Sequence, residues 1–124
     1  MARKSVGYFE GTDSRLLTYL IISGYDTLPV SNGSDHHGQS IMLVNSKNRY
    51  DLLIGYLHKI AAAADDAIQT HNIFHICQTY GIPLLLEVPA HLHEAARRII
   101  PEAPPVVELL DPADTMNRAI ELLQ

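Results

Sequence analysis

The most unusual group of reactive side chains in this sequence is the tripeptide Asp35-His36-His37. It places one carboxylate beside two imidazoles, and both groups commonly transfer protons in enzymes. Asp35, His37 and His36 are therefore candidate catalytic residues. The alternative is that Ser34 or Asp35 caps a helix while the histidines face solvent or a neighbouring subunit. The residues around the tripeptide are polar and include two glycines, as in a turn: Ser31, Asn32, Gly33, Ser34 and Gly38.

A second polar segment, Gly11-Thr12-Asp13-Ser14-Arg15, lies between an apolar stretch and a helical pattern. Backbone N–H groups and hydroxyls at the start of a helix can hold an anion, and Arg15 or Lys59 would add positive charge. The alternative is that Thr12, Asp13 and Ser14 only cap the helix, and Asp13 would repel an anion if it faced the site. The candidate ligand-binding residues are Gly11, Thr12, Asp13, Ser14, Arg15, Ser31, Asn32, Gly33, Ser34, His58 and Lys59.

The other histidines and the single cysteine do not indicate a metal or a cofactor. His71 and His75 are four residues apart and could share a metal, but no third ligand has suitable spacing. Cys77 belongs to an apolar helical stripe, where packing is its expected role. The loops after the third and fourth strands lack aromatic residues that could stack on a flavin. We therefore expect no metal and no cofactor.

Strand-like and helix-like patterns alternate along the whole chain. Five strands alternating with five helices imply a parallel sheet with right-handed crossovers and helices on both faces. The sequence predicts one α/β domain over residues 1–124, with a three-layer, doubly wound, flavodoxin-like or Rossmann-like fold. The strands are predicted at 5–10, 27–30, 51–57, 84–88 and 106–110, and the helices at 13–23, 41–44, 61–80, 91–100 and 111–124.

The prolines indicate which strands lie at the edges of this sheet. Pro29 falls within strand two, and Pro104-Pro105 precedes strand five. Since proline cannot donate to a strand ladder, these positions favour the order 2-1-3-4-5, with strands two and five at the edges. Ligands of such sheets bind at the carboxyl ends of the strands where the order reverses, here between strands one and three. The two polar segments follow strands one and two and should meet there.

Composition limits the classes of partner. Of the 124 residues, 47% are hydrophobic and 19% are charged, as in a compact globule rather than a disordered chain. Nine basic and fourteen acidic residues give a net charge of −5, which disfavours sequence-independent binding to nucleic acid. No apolar run approaches the length needed to span a bilayer, so no membrane association is expected. The start of the chain lacks the apolar segment of a signal peptide, and a cytoplasmic location is expected.

Residues 6–90 contain four stretches whose spacing is similar to that of a known family. They are Gly11-Thr12-Asp13-Ser14-Arg15-Leu16, residues 31–39, Asp51-Leu52-Leu53-Ile54 and Tyr80-Gly81-Ile82-Pro83-Leu84. This layout resembles the methylglyoxal-synthase-like domain, in which a Gly-Thr phosphate loop follows one strand and a Ser-Gly turn follows the next. The resemblance implies a phosphate site formed by Thr12, Ser14 and Ser31. It also implies that Asp35 or His37 lies near the position of the catalytic carboxylate.

These observations predict a domain that binds a small anionic or phosphorylated metabolite at the carboxyl ends of strands one and two. If the protein is an enzyme, Asp35 and His37 would carry lyase-like acid–base chemistry. The alternative is a non-catalytic module that senses a ligand or docks a partner. A homo-oligomer is expected in either case, because the helix face that carries His71, His75 and Gln78 is flanked by Ile68 and Phe74.

Overall fold

The computed structural model describes residues 3–31, 38–60, 67–101 and 103–124, with only the backbone of 67–69. Its strands are β1 (Ser5–Tyr8), β2 (Asp26–Ser31), β3 (Gln39–Ser40), β4 (Leu52–Tyr56), β5 (Leu84–Glu87) and β6 (Val107–Leu110). Its α-helices are α1 (Ser14–Ile22), α2 (Leu57–Ile60), α3 (Ala67–Tyr80), α4 (His93–Ile99) and α5 (Thr115–Leu123). Short 3-10 turns cover Ile41–Leu43, Ala90–Leu92 and Pro112–Asp114.

The strands of the described residues form one parallel sheet in the order β3-β2-β1-β4-β5-β6. The predicted α/β class and parallel sheet are confirmed, and the architecture is consistent with a flavodoxin-like or Rossmann-like fold. The predicted count of five strands and the order 2-1-3-4-5 are wrong, because β3 adds a sixth strand beside β2. The other five strands keep the predicted order among themselves.

The short strand β3 also changes the edge of the sheet. It pairs Gln39 with Val30 and Ser40 with Ser31. The prediction that strand two lies at an edge of the sheet is therefore wrong. Two residues are too few to show the alternation of polar and apolar side chains that identifies a strand. The hydrogen-bond ladder between β2 and β3 begins at Val30. Pro29, which has no N–H, therefore does not have to donate a hydrogen bond to β3.

Helices cover both faces of the sheet, as expected for a doubly wound fold. On one face, Leu52, Ile54 and Leu85 pack with residues of α1 and α5. On the other face, the core contains Leu53 and Leu86 together with residues of α3. Successive residues of β4 and β5 point to opposite faces of the sheet, and both faces are covered. Both strands are therefore buried on both sides, which explains why their sequences are continuous apolar runs. The residues contributed by α1, α5 and α3 are Leu16, Leu20, Ala119, Leu123, Ile73, Phe74, Ile76 and Cys77.

Two predicted elements differ in the structure. The helix predicted at 41–44 is a single 3-10 turn, Ile41–Leu43. The Ser40 side chain caps this turn by accepting a hydrogen bond from the N–H of Met42. The strand predicted at 51–57 ends at Tyr56, and α2 begins directly at Leu57. A run of three or four apolar residues is too short for its periodicity to distinguish a strand from a helix.

Helix α3 agrees with the prediction where it is described, from Ala67 to Tyr80. His71, His75 and Gln78 are exposed, as expected for the outer face. Phe74, however, is only 3% exposed and belongs to the core. The interpretation of Phe74 as part of an apolar subunit contact is therefore wrong, because its ring turns toward the sheet rather than along the histidine face. None of the helices in the described parts of the chain has the length and apolar character to cross a membrane.

Candidate functional site

The loop after β1 holds its shape through its own hydrogen bonds. The carbonyl oxygen of Phe9 accepts from the Thr12 hydroxyl at 2.7 Å and from the Thr12 N–H at 3.3 Å. Gly11 takes a φ of 89°, a left-handed conformation that favours glycine. Asp13 then caps α1, since its Oδ1 accepts from Arg15 N at 2.8 Å. The sequence-predicted loop and cap therefore lead directly into the first turn of α1.

Asp13 and Arg15 also form an ion pair at this helix start. Arg15 Nη2 lies 3.1 Å from Asp13 Oδ2, and the Arg15 side chain is 90% exposed. The hydrogen bond from the Arg15 side chain, with that from its backbone, lowers the pKa of Asp13, and the same contact raises the pKa of Arg15. An exposed pair of this kind contributes little stability. Arg15 can therefore turn toward another anion at small cost.

A cavity of about 280 Å³ opens between the first turns of α1 and α5. We call it the α1–α5 cavity. It lies at the carboxyl ends of β4 and β5, and two helix N-termini with their partial positive charge flank it. Its charged and polar lining consists of Asp13 and Arg15 from α1, Tyr56 and Glu87 from the strand ends, and Thr115 from α5; Leu16, Pro112, Ala113 and Met116 complete it.

Glu87 is the most unusual residue of this cavity. It ends β5 and is only 4% exposed. Its Oε2 accepts a hydrogen bond from the Thr115 hydroxyl at 3.0 Å, whereas its buried Oε1 has no partner among the described residues. Burial raises the pKa of Glu87, the Thr115 hydrogen bond opposes that rise, and the Asp13 carboxylate adds to it. Glu87 therefore keeps its proton to a higher pH than an exposed glutamate does.

Tyr56 lies beside Glu87, because the two residues are register partners in the β4–β5 ladder. Burial raises the pKa of Tyr56, and the carboxylates of Glu87 and Asp13 raise it further. Its phenol therefore stays protonated near neutral pH and can donate a hydrogen bond. Tyr56 and Glu87 thus place a phenol and a carboxyl group with a raised pKa side by side at the carboxyl edge of the sheet.

A second cavity, of about 350 Å³, lies next to α4. We call it the α4 cavity. Tyr56 and Glu87 line this cavity as well as the first, and His58 adds an imidazole whose ring centre is 5.5 Å from that of Tyr56. The rest of the lining is apolar and consists of Leu57, Val88, Pro89, Leu92 and Ile99.

The structure brings some of the predicted ligand-binding residues together and separates others. Asp13 and Arg15 line the α1–α5 cavity, and His58 lines the α4 cavity. Lys59 pairs with Glu10, with Nζ 3.6 Å from Oε2. The remaining predicted residues within the described ranges line neither cavity: Gly11 and Thr12 shape the β1–α1 loop, Ser14 starts α1, and Ser31 is buried at the end of β2.

The predicted catalytic residues Asp35, His36 and His37 lie outside the described residues, as do Asn32, Gly33 and Ser34. Their roles stay predictions. The strand that leads to them, β2, ends at Ser31 and lies beside β1 in the sheet. Ser31, the last described residue before them, therefore lies at the same carboxyl edge of the sheet as the β1–α1 loop.

Sequence reasoning missed Tyr56, Glu87 and Thr115 as site residues. One signal was present, because Glu87 is a single charged residue within the apolar run from Leu84 to Val88. A charge at such a position is rarely buried unless it is paired or functional. Nothing local indicates Thr115, which is 28 residues away from Glu87 in sequence.

The described residues contain no group of three or more His, Cys, Asp or Glu side chains that could hold a metal ion. Cys77 is fully buried, and burial raises the pKa of its thiol to about 12. A thiol with this pKa is not a nucleophile near neutral pH. Cys77 therefore serves the core, as its place on the apolar stripe of α3 predicts.

No protein-family model matches this chain, and a search of curated proteins finds none with significant similarity.

Proposed function

We propose that this protein binds a small anionic or phosphorylated metabolite in the α1–α5 cavity. The observation that carries the proposal is the buried carboxyl group of Glu87, whose Oε1 has no partner within the described structure. A buried polar atom without a partner costs about 1–3 kcal/mol. A ligand that supplies the missing hydrogen bond would recover part of this cost.

The position of the cavity in the fold supports a ligand site. The strand order reverses between β1 and β4, and doubly wound sheets bind their ligands at the carboxyl ends of strands around this point. Asp13 and Arg15 follow β1, and Tyr56 ends β4. The three residues therefore surround the place where the topology leaves room for a ligand.

The charges around the cavity favour an anion once Glu87 is protonated. A protonated Glu87 donates its O–H to a ligand oxygen, and the Tyr56 phenol offers a second donor. The exposed guanidinium of Arg15 supplies a positive charge, and the N-termini of α1 and α5 add partial positive charge. A bound anion would raise the pKa of Glu87 further and so favour the state that donates the hydrogen bond.

If the protein is an enzyme, Glu87 is a proton donor at the reacting oxygen. Asp35 and His37, in the segment after β2, stay the candidate partners for lyase-like acid–base chemistry. The resemblance to the methylglyoxal-synthase-like domain supports a phosphorylated ligand at the β1–α1 loop. The same resemblance implies Thr12, Ser14 and Ser31 as phosphate ligands, although these three residues line neither cavity.

Replacing Arg15 by glutamine tests the anion site. We expect the affinity for methyl phosphate to fall by about tenfold, which corresponds to about 1.4 kcal/mol, because one charged hydrogen bond is lost. Isothermal titration calorimetry with methyl phosphate measures the change. The matched control is Arg98→Gln, since Arg98 forms a similarly exposed pair with Glu94 on α4 at 2.9 Å. Equal losses in both variants would contradict the proposal.

Replacing Asp13 by asparagine should act in the opposite direction. Asparagine caps a helix as well as aspartate does, so α1 should keep its stability. The substitution removes the carboxylate that competes for Arg15, and the affinity for methyl phosphate should rise by a few fold. The same titration measures this rise, with Glu94→Gln as the control that frees Arg98. Unchanged or weaker binding by Asp13→Asn would exclude Arg15 as the anion partner.

The second candidate function is a non-catalytic module that acts as a homo-oligomer. The observation that favours it is a group of exposed apolar side chains on α1: Tyr19 at 45%, Ile21 at 53% and Ile22 at 77% exposure. Adjacent exposed apolar residues commonly mark an interaction surface. Light scattering of the parent protein and of Ile22→Glu distinguishes the two cases. A monomeric parent would remove this candidate.

A further inference from the structure

The two cavities meet at one pair of residues. Tyr56 and Glu87 are neighbours across the β4–β5 ladder, and both line the α1–α5 cavity and the α4 cavity. The cavities therefore share a boundary at the carboxyl edge of the sheet. Each has a volume near or just below the lower end of the usual range for ligand sites, about 300–1,000 Å³.

The two cavities differ in chemistry. The α1–α5 cavity contains the ion pair of Asp13 and Arg15 and the hydroxyl of Thr115. The α4 cavity is instead formed mainly by five apolar side chains, those of Leu57, Val88, Pro89, Leu92 and Ile99. A charged group is favoured on one side of the Tyr56–Glu87 pair, and an apolar group is favoured on the other.

The apolar side also leaves surface exposed to water. Leu92 is 44% exposed and Ile99 is 65% exposed, although α4 buries Ala96 on its other face. An apolar ligand group in the α4 cavity would remove part of this surface from water, which is favourable in proportion to its area.

From this arrangement we infer that the ligand is amphipathic: a small anion carrying a short alkyl or aromatic group. The anionic head occupies the α1–α5 cavity, and the apolar group passes the Tyr56–Glu87 pair into the α4 cavity. The inference rests on the proposed function for the position of the head group. It adds the substrate class, and it assigns Leu92 and Ile99 as specificity residues.

A pair of phosphate monoesters tests the apolar part separately from the head group. Methyl phosphate and hexyl phosphate share the head group and differ in alkyl length. Burial of each methylene strengthens binding by about fourfold, so hexyl phosphate should bind more than about tenfold more tightly than methyl phosphate even when only two of its five additional methylenes are buried. Isothermal titration calorimetry on the full chain measures both constants.

Variants locate the alkyl group. Leu92→Gln and Ile99→Gln replace exposed side chains, so the fold should be kept. We expect both to lose most of the preference for hexyl phosphate while their affinity for methyl phosphate stays unchanged. The matched control is Ile22→Gln, an equally apolar and more exposed position on α1 that should keep the full preference.

The outcomes separate this inference from the proposed function. Equal affinities for the two esters would overturn the inference and leave the anion site in place. A preference that survives in both Leu92→Gln and Ile99→Gln would also overturn it, since the alkyl group would then lie elsewhere. Binding of hexanol that depends on Leu92, without binding of methyl phosphate, would exclude the proposed anion site and overturn the amphipathic ligand with it, leaving a purely apolar site in the α4 cavity.

Discussion

Replacing Phe9 by alanine is expected to lower the free energy of unfolding by about 3–5 kcal/mol, the usual cost of removing a buried aromatic side chain. Phe9 is fully buried and belongs to the core on the α3 face of the sheet. Its ring packs over Gly55 of β4, where an added Cβ would lie 2.9 Å from Phe9 Cδ2. The missing side chain at Gly55 therefore creates the space that Phe9 fills.

Urea unfolding followed by circular dichroism measures the effect. Because small domains are stable by about 5–15 kcal/mol, the variant should unfold at a much lower urea concentration than the parent. Phe9→Leu is the control, since it keeps an apolar group of similar size and should lose less. A loss below about 1 kcal/mol in Phe9→Ala would contradict the packing described above.

This change should also affect the candidate site. The Phe9 carbonyl oxygen anchors the β1–α1 loop through both hydrogen bonds from Thr12. Loss of the ring leaves this backbone less firmly placed, and Asp13 and Arg15 lie at the end of the same loop. We therefore expect weaker binding of methyl phosphate in Phe9→Ala under conditions where the variant is still folded.

Replacing Glu87 by glutamine should stabilise the protein more at pH 8 than at pH 4. The folded state raises the pKa of Glu87 above its ordinary value, mainly through burial. At a pH between the pKa of Glu87 in the unfolded chain and its higher pKa in the folded protein, the native state holds a proton that the unfolded state has released. The stability of the parent therefore falls as the pH rises through this window, and glutamine removes this contribution. Each tenfold by which the folded state retains this proton more strongly corresponds to about 1.4 kcal/mol of the difference between pH 8 and pH 4.

Unfolding experiments at a series of pH values measure the difference between Glu87→Gln and the parent. The control is Glu108→Gln, because Glu108 accepts two hydrogen bonds from Arg118 at 2.9 and 3.0 Å. Losing that pair should destabilise the protein at neutral pH, the opposite sign to Glu87→Gln. A difference between Glu87→Gln and the parent that does not change with pH would show that Glu87 titrates as an exposed glutamate does.

The site could be predicted from the sequence only in part. The β1–α1 loop was found because its glycine and its capping residue lie two positions apart in the sequence, so that local spacing identifies them. Thr115, in contrast, reaches Glu87 only because α5 crosses the sheet on the face that Glu87 points to. Phe74 was misjudged for a related reason, since the periodicity of α3 alone does not tell how wide its buried face is.

By itself, the sequence determined the class of fold, the parallel sheet and the start of a helix near Asp13. These features depend on local patterns. They are the apolar runs of β4 and β5, the alternation of strands with helices, and the Asp13 side chain, which accepts a hydrogen bond from the N–H of Arg15 two residues later. Only the tertiary structure decided that β3 pairs with β2, that Tyr56 and Glu87 are neighbours, and that one oxygen of Glu87 is buried with no partner in the part of the chain that the structure describes. Strand register and burial join residues that are distant in the chain, and these relations decide where the two cavities meet.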